Sequence, residues 1–485
     1  MKHPSVSVSL CVGFWFLLSG SACSDAGKVT GSEPTESDSG TGGSGGQNTG
    51  GSGGQNTGGT SATGGSSNGG AAGAEPPSLL IDSVNLSLNG PFGAFPTERM
   101  KAAPAAIAGL PSDVVCVQEA WGPEVQSSIV SAAASTFPYR AQFHFDLDTV
   151  VDDPSDQSGQ VPAPFTEAPC AQSGTELVNV ADCVQEHCVS PLGNPMGKPT
   201  SQIADCLSSK CLGELLPLVG GTEEAKACYA CAFNQLASFG SPEQMRAACL
   251  DNPKARYAWN GDSGTFLLSK YPIGEAEAWV LPSTDLRVVV LRAPVLLPSG
   301  ESLDVYCTRL SEPVDGIARP YTGQYGAGKQ GLEAWQQELY LQADKLVKYV
   351  QSRSAASGSR GVLASTLYSG PEYANGSTKV LDAINPVAFQ TVSNAFPLAV
   401  PSAFVPSCTW CANNPIMSPP GGTSGGSSHW ESFVFLVKTP ASDIVSAEVF
   451  LKDATIPVTA NGSAFSIPVS PLYGFRSRVR LNSTP

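Results

Sequence analysis

Cysteines are the residues whose type and spacing most readily suggest chemistry in this chain of 485 residues. Fourteen are present, and eight share one stretch: Cys170, Cys183, Cys188, Cys206, Cys211, Cys228, Cys231 and Cys249. In an oxidising compartment, paired cysteines form disulfides rather than metal sites. We therefore expect these eight to bridge one another, in a connectivity that the sequence leaves open. Their repeated five-residue step does not suit one helix face, which argues against a simple ladder of bridges between two helices.

Four further cysteines lie outside both that stretch and the amino terminus. Cys408 and Cys411, in the sequence CTWC, are either half of a zinc site or part of a disulfide, and the same reasoning favours the disulfide. Cys116 and Cys307 each lie in an apolar, strand-like run. We expect both to be buried thiols.

The amino terminus has the pattern of an export signal. Residues 1–22 combine a basic start, a short apolar stretch and small residues before Cys23. This resembles a bacterial lipoprotein signal, in which the cysteine is lipidated; an ordinary secretory signal with an incidental cysteine is the alternative. Residues 23–77 contain the repeat GGSGGQNT and predict a disordered linker. We expect an exported lipoprotein, anchored through Cys23 at the outer membrane or cell surface.

The charge of the chain bears on its partners. The formal net charge is −15 and the isoelectric point is near 4.7. Such a chain has no basic field to attract phosphate backbones non-specifically, so nucleic acid is a poor candidate partner.

From residue 78 the chain changes to short β-type runs, turns and amphipathic helices, which indicates α/β or α+β structure. Strands are expected at Leu79 to Leu88, Asp113 to Gln118, Ser263 to Ser269, Leu286 to Leu297, Leu303 to Leu310, Gly361 to Leu367 and Ser432 to Val437. We expect one helix from Thr97 to Leu110, opened by the capping pair Thr97 and Glu98, and a long one from Gly331 to Gln351. Residues 166–252 predict a disulfide-rich helical insertion, either a passive surface element or a module that binds a partner or lipid.

Seven segments, taken in order, resemble the endonuclease/exonuclease/phosphatase (deoxyribonuclease-I-like) superfamily and its exported sphingomyelinase-like branch. They are SVNLSLNG (83–90), ERMKAAPAAIAGLPSDVVCVQEAW (98–121), NGDSGTFLLSKYPI (260–273), LDVYCTRL (303–310), WQQELYLQADKLVKY (335–349), GVLASTLYSGP (361–371) and SSHWESFVFLV (427–437). The resemblance implies a four-layer α/β sandwich over residues 78–485, in which two facing, mostly antiparallel sheets are flanked by helices. The cysteine-rich insertion interrupts it.

The resemblance also implies a catalytic site, of which this chain keeps little. Asn85 and Glu119 match retained family positions, and Glu119 is the implied ligand of a divalent cation. Where the family has a histidine, an aspartate, an asparagine, a second aspartate and a second histidine, this chain has, in the same order, Arg309, Thr366, Tyr368, Glu431 and Ser432. His429 is a candidate displaced histidine, but on a strand its side chain would face away from that of Ser432. The implied cofactor is Mg²⁺ or none.

Three functions remain open from the sequence. The first is a catalytically degenerate family member that binds a ligand or partner. The second is an active metal-dependent phosphodiesterase, sphingomyelinase- or nuclease-like, and the third is a non-catalytic surface scaffold. The implied partner is a phospholipid or another small phosphodiester.

Overall fold

A computed structural model of the protein describes residues 78–88, 95–143, 152–153, 159–160, 167–189, 206, 209–237, 242–252, 257–259, 261, 263–313, 320–416, 426–460 and 463–480. The predicted signal peptide, lipidation at Cys23 and linker lie outside these residues. Within them, no helix is both long and apolar enough to cross a membrane.

Seventeen strands and eight α-helices occur in the described residues. The strands are β1 (Ser78–Leu88), β2 (Val114–Ala120), β3 (Tyr139–Gln142), β4 (Asp152–Asp153), β5 (Gly159–Gln160), β6 (Phe266–Ser269), β7 (Glu277–Leu281), β8 (Val288–Leu296), β9 (Ser302–Arg309), β10 (Arg360–Thr366), β11 (Tyr373–Asn375), β12 (Thr378–Leu381), β13 (Ser432–Val437), β14 (Ile444–Phe450), β15 (Thr455–Ala460), β16 (Ser463–Pro468) and β17 (Gly474–Arg480). The helices are Pro96–Ala108, Pro123–Ala133, Gly174–Cys183, Leu212–Val219, Glu223–Ala237, Pro242–Arg246, Gly331–Ser357 and Pro386–Ala395.

Two large sheets organise the strands. One has the order β14-β17-β1-β2-β6-β3 and the other β13-β10-β9-β8-β7. Each is antiparallel except for one central parallel pair, which is β1 with β2 in the first sheet and β9 with β10 in the second. The predicted α/β class with two mostly antiparallel sheets is confirmed.

Strand β2 shows how both faces of the first sheet are buried. Val114 and Cys116 belong to the main core, which also contains residues of the second sheet. Val115 and Val117 point the other way, into a core formed with the helices Pro96–Ala108 and Pro123–Ala133. Side chains alternate along a strand, so a nearly continuous apolar run serves both faces. The first sheet therefore lies between a layer of helices and the second sheet.

The ends of several elements differ from the sequence-based expectation. The predicted capping pair Thr97 and Glu98 is wrong, because the helix begins at Pro96 and its N-cap residue, Phe95, makes no side-chain capping bond. Proline suits the first helical position, since its φ is already helical and its missing N–H has no partner there. The long helix Gly331–Ser357 runs further than expected; it buries Leu339 and Leu346 in the main core, and Trp335 in a separate cluster with Tyr321.

The cysteine-rich stretch forms a small core of its own. Its eight cysteines pair as expected among themselves: Cys170–Cys228, Cys183–Cys211, Cys188–Cys206 and Cys231–Cys249. Two of these bridges join the same two segments with a five-residue step on each side, so the argument against a ladder was wrong. The reason is the π-helix Val184–Val189, whose wider turn brings residues five apart towards one face.

The prediction of buried thiols at Cys116 and Cys307 is also wrong. The two form a disulfide between β2 and β9, which links the two large sheets. Sequence position could not reveal this pair, because the two cysteines are separated by 191 residues. The predicted disulfide of CTWC is present as Cys408–Cys411. Six disulfides in the described residues indicate an extracellular or otherwise oxidising location.

Candidate functional site

The candidate site lies where the central parallel strands of the two sheets end. Asn85 and Glu119 lie near the carboxyl ends of β1 and β2, and Arg309 is the last residue of β9. Parallel neighbours end on the same edge of a sheet, so these side chains are brought close together. The Cys116–Cys307 disulfide fixes the spacing between the sheets a few residues before Glu119 and Arg309.

Asn85 is held in one orientation. Its side-chain carbonyl accepts a hydrogen bond from the backbone N–H of Ser87 at 2.8 Å, and its amide nitrogen donates to Glu119 Oε1 at 3.0 Å. The buried guanidinium of Arg99 secures the same end of β1 by donating to the carbonyls of Leu86 and Ser87. Burial lowers the pKa of Arg99 to about 10, which still leaves it charged at neutral pH.

The backbone of Glu119 has an unusual conformation. Strict alternation would point its side chain to the same side as Val115 and Val117, but its φ of 55° turns the chain at this residue. A left-handed φ is costly for a residue with a Cβ and clusters at functional sites. Gly264 passes directly against this turn, since a Cβ there would lie 3.3 Å from the Glu119 Cα. The turn aims the carboxylate towards the second sheet.

Arg309 supplies the charge that faces Glu119. Its Nη1 lies 3.2 Å from Glu119 Oε1, with the two side chains only 7% and 4% exposed. The guanidinium carbon also lies 5.0 Å from the centre of the Trp121 ring. A guanidinium stays protonated and cannot act as a general base. Arg309 and Glu119 therefore form a buried ion pair with almost no exposure to solvent.

Tyr368 completes the surroundings of the same carboxylate oxygen. Its hydroxyl donates to Glu119 Oε1, and Asn85 Nδ2 lies 3.3 Å from that hydroxyl. Burial, and next the charge of Glu119, raise the pKa of Tyr368 well above its usual value. The phenol thus remains a proton donor. Tyr368 also has a positive φ, of 47°, two residues beyond the end of β10.

A second polar line runs between the sheets beside this cluster. Thr366 Oγ1 donates to Gln118 Oε1 at 3.1 Å and lies 3.2 Å from Ser432 Oγ. All three residues are buried. The hydroxyls of Thr366 and Ser432 form a hydrogen bond with each other, and neither carries a charge. The resembled family has an aspartate and a histidine at these two positions.

A cavity of about 120 Å³ adjoins the cluster. Its walls are formed by Glu312, Pro313, Tyr368, Ile384, Asn385, Trp410, His429 and Glu431. Glu431 is 2% exposed, and its Oε2 has no hydrogen-bond partner among the described residues. Burial raises the pKa of Glu431 to about 8, with smaller contributions from the charges of Glu312 and Glu119.

The CTWC loop forms one wall of this cavity. Its disulfide closes the loop, and Trp410 exchanges backbone hydrogen bonds of 3.0 and 2.8 Å with His429. Thr409 Oγ1 accepts hydrogen bonds from the backbone of Glu431 and Ser432. The loop therefore fixes the segment that carries His429 and Glu431. His429 precedes β13, so strand alternation does not decide where its side chain points, and it does line the cavity.

The described residues do not fit the divalent cation that the resemblance implies. No group of three or more His, Cys, Asp or Glu side chains among them could hold a metal ion. The one retained carboxylate, Glu119, is already in contact with Arg309, Tyr368 and Asn85. The carboxylate of Glu119 is thus already paired with a side chain of the protein itself.

The structure brings together all the residues that the resemblance singled out. Asn85, Glu119, Arg309 and Tyr368 form one bonded cluster, Thr366 and Ser432 form the neighbouring line, and Glu431 lines the cavity. Sequence reasoning did not single out five of the eight wall residues, which are Glu312, Pro313, Ile384, Asn385 and Trp410. A tryptophan between two bridged cysteines was a usable signal for Trp410, whereas nothing in the local sequence marks the other four.

No protein-family model matches the chain, and no curated protein matches it significantly. Among solved structures, sphingomyelinase C from Streptomyces griseocarneus is similar at 13% identity and a TM-score of 0.45, covering 83% of this chain and 100% of its own. A beta toxin variant from Staphylococcus aureus with bound magnesium ions has 13% identity and a TM-score of 0.44, covering 83% and 100%. An endonuclease/exonuclease/phosphatase family protein from Bacteroides thetaiotaomicron has 8% identity and a TM-score of 0.42, covering 84% and 100%. At such values no property of those proteins is assigned to this chain.

Proposed function

We propose that this chain is a catalytically degenerate relative of the endonuclease/exonuclease/phosphatase proteins that binds a ligand in the former active-site cleft and does not hydrolyse it. The observation that carries the proposal is the ion pair of Arg309 with Glu119. It neutralises, from within the protein, the carboxylate that the resemblance assigns to a cation.

The loss of chemistry can be estimated from the replacements. A general base, or one group that stabilises charge in the transition state, contributes roughly 10²- to 10⁴-fold in rate. Arg309 cannot accept a proton, and Thr366 and Ser432 are hydroxyls bonded to each other. Such groups act as a unit, so their contributions do not multiply, but Arg309, Thr366 and Ser432 supply no general base at their three positions. The adjoining cavity supports ligand binding over a role as a passive scaffold.

The test is an assay of the purified, disulfide-bonded protein with Mg²⁺ on sphingomyelin, bis-p-nitrophenyl phosphate and DNA. We expect no turnover above that of two variants, Glu119→Ala and the exposed helical control Glu124→Ala. Metal-dependent turnover that Glu119→Ala abolishes and Glu124→Ala retains would instead establish an active phosphodiesterase.

We further propose that the protein is exported and held at a membrane surface by a lipid on Cys23. The short apolar stretch, the small residues before Cys23 and the Gly/Ser-rich residues 23–77 support this arrangement, since an anchored body needs a flexible tether. The disulfides agree with export. Mass spectrometry of the mature amino terminus decides it: we expect a lipidated Cys23, and cleavage elsewhere or an unmodified cysteine contradicts the proposal.

A further inference from the structure

Glu338 is a buried acid that the proposed function does not use. It lies on the long helix Gly331–Ser357 and is 0% exposed. Its carboxylate accepts hydrogen bonds from Thr284, both from the backbone N–H at 3.1 Å and from the side-chain hydroxyl. The hydroxyls of Ser311 and Tyr321 donate to the same carboxylate at 3.3 and 3.2 Å. Glu338 therefore holds three separate segments of the chain against one helix.

Gln342, one turn further along the helix, completes this arrangement. Its side-chain carbonyl accepts the backbone N–H of Ser311 at 2.8 Å, and its amide donates to Ser311 Oγ and to the carbonyl of Pro282, each at 2.8 Å. Two of the segments also pack on each other, because a Cβ at Gly323 would lie 1.6 Å from Thr284 Oγ1. We refer to this group of residues as the Glu338 clamp, which consists of Glu338, Gln342, Thr284, Ser311 and Tyr321.

The clamp is connected to the candidate site through Ser311. Arg309, which pairs with Glu119, lies two residues before Ser311 in the chain. Glu312 and Pro313, which follow Ser311 directly, line the cavity. The position of Ser311 therefore determines where this part of the cavity wall begins.

Two opposing effects act on the charge of Glu338. Burial favours the neutral acid, whereas hydrogen bonds from Thr284 and Tyr321 favour the ionised carboxylate. Burial is the larger effect and raises the pKa of Glu338 to about 7, and the charge of Asp285 acts in the same direction. When the clamp opens, water hydrates the carboxylate, and its pKa returns towards the ordinary value of 4.5. Opening thus releases a proton, so a rise in pH favours the open clamp.

We propose that Glu338 is a pH-dependent positioning residue, whose neutral form keeps the clamp closed and whose ionisation releases Ser311 together with the cavity wall that follows it. This inference concerns the regulation of the proposed ligand-binding cavity and rests on the proposed function for that purpose. The opening of the clamp itself is measured without a ligand.

Other charged or titratable groups surround Glu338. They are Asp285, Arg287, Tyr257, Tyr321 and Tyr325. Burial raises the pKa of all three tyrosines, so they keep their protons near neutral pH. The guanidinium of Arg287 stays charged. A variant of Glu338 alone therefore isolates its contribution to the pH dependence.

The experiment is hydrogen–deuterium exchange of the full mature, disulfide-bonded protein between pH 6 and pH 9, followed by mass spectrometry. The reporters are peptides that contain the backbone N–H groups of Thr284 and Ser311, both of which donate to the clamp. Protection is the ratio of the intrinsic exchange rate to the measured rate at each pH. For a group whose pKa falls from about 7 to 4.5 on opening, we expect protection to fall about tenfold over this range.

Three variants test the role of Glu338. Glu338→Gln cannot ionise, so its protection should change less than about twofold over the same range. Glu333→Gln is the matched control, because Glu333 lies on the same helix with its side chain 71% exposed, and it should retain the wild-type fall. Glu431→Gln should also retain it, which separates the clamp from the other buried acid of raised pKa.

Constant protection in the wild type, or an undiminished fall in Glu338→Gln, would overturn the inference. An equal fall in peptides from β10 would do the same, because it reports unfolding of the whole protein. If Glu338→Gln does not fold, Tyr321→Phe provides the test. It removes one donor to the ionised carboxylate, so the fall should extend about one pH unit higher, and an unshifted fall overturns the inference.

The phosphodiester assay decides the proposed function separately. Without pH-dependent opening and without turnover, the clamp inference fails while the non-catalytic proposal stands. Metal-dependent turnover defeats the non-catalytic proposal but leaves a measured pH dependence of the clamp intact.

Discussion

Replacing Arg309 with methionine should destabilise the protein far more than the loss of a surface charge. The Arg309–Glu119 pair is nearly buried, with 3.2 Å between Nη1 and Oε1. At an effective dielectric constant of about 20, charges at this distance attract by about 5 kcal/mol. Removing one partner of a buried pair typically costs about 3–5 kcal/mol, because the other charge stays buried without its partner. We expect Arg309→Met to lower the free energy of unfolding by that amount.

A double-mutant cycle separates the pair from its surroundings. Arg309→Met leaves Glu119 with hydrogen bonds from Asn85 and Tyr368 but with no contacting positive charge among the described residues. Glu119→Gln leaves a buried guanidinium. The variant carrying both changes removes both charges, so it should lose less stability than the sum of the two single variants, with a coupling energy of about 2 kcal/mol or more.

Urea denaturation without reductant, followed by circular dichroism, measures these free energies while the disulfides stay intact. The control is Lys348→Met, because Lys348 pairs with Asp344 at 2.8 Å but is 52% exposed. Its loss should be below about 0.5 kcal/mol. A loss of less than 1 kcal/mol in Arg309→Met, or additive losses in the cycle, would refute the description of this pair as a buried internal countercharge.

Three further predictions concern stability and pairing. Burial raises the pKa of Glu431 to about 8, so between about pH 4.5 and pH 8 the native state keeps a proton that the unfolded state loses. The stability that this proton contributes is fully present below about pH 4.5 and is lost as the pH rises to 8. In urea titrations, the free energy of unfolding of Glu431→Gln should therefore decline less steeply with pH than that of the wild type. Burial also raises the pKa of Glu338, to about 7, so part of the fall in the free energy of unfolding with pH should remain in Glu431→Gln. Replacing Cys116 and Cys307 together with alanine should lower the thermal midpoint and cost about 4 kcal/mol, whereas an unchanged midpoint would contradict the link between the sheets. Alkylation without reductant should leave the eight cysteines from Cys170 to Cys249 unlabelled, and extensive labelling would contradict their pairing.

Several strands of the two large sheets could be predicted because local physics specifies them. Ser432–Val437 was predicted with both ends correct, and β1 and β2 were predicted with ends shifted by one or two residues. Runs of β-branched and apolar residues bounded by turn residues carry that information along the chain. The start of the helix at Pro96 was missed by one residue, because proline at its first position replaced the expected side-chain cap.

The candidate site was predictable in its members but not in its bonding. The order of motifs selected Asn85, Glu119, Arg309, Tyr368 and Glu431 together. It did not show that Arg309 binds Glu119, since that contact depends on how closely two separate sheets pack. The positive φ that turns Glu119 towards the second sheet also has no local signal in the residue itself.

The sequence by itself determined the class of fold, the acidic charge, the cysteine-rich stretch and the absence of histidine and aspartate from the resembled catalytic positions. These follow from residue types and from patterns within a few residues. Only the tertiary structure decided that Cys116 bonds Cys307, that an arginine neutralises the retained glutamate and that Glu431 faces a cavity beside Trp410. The first two depend on residues that are far apart in the chain and meet only when the two sheets pack, and the third depends on how the CTWC loop folds back onto the segment before β13. Local propensity contains no term for such contacts.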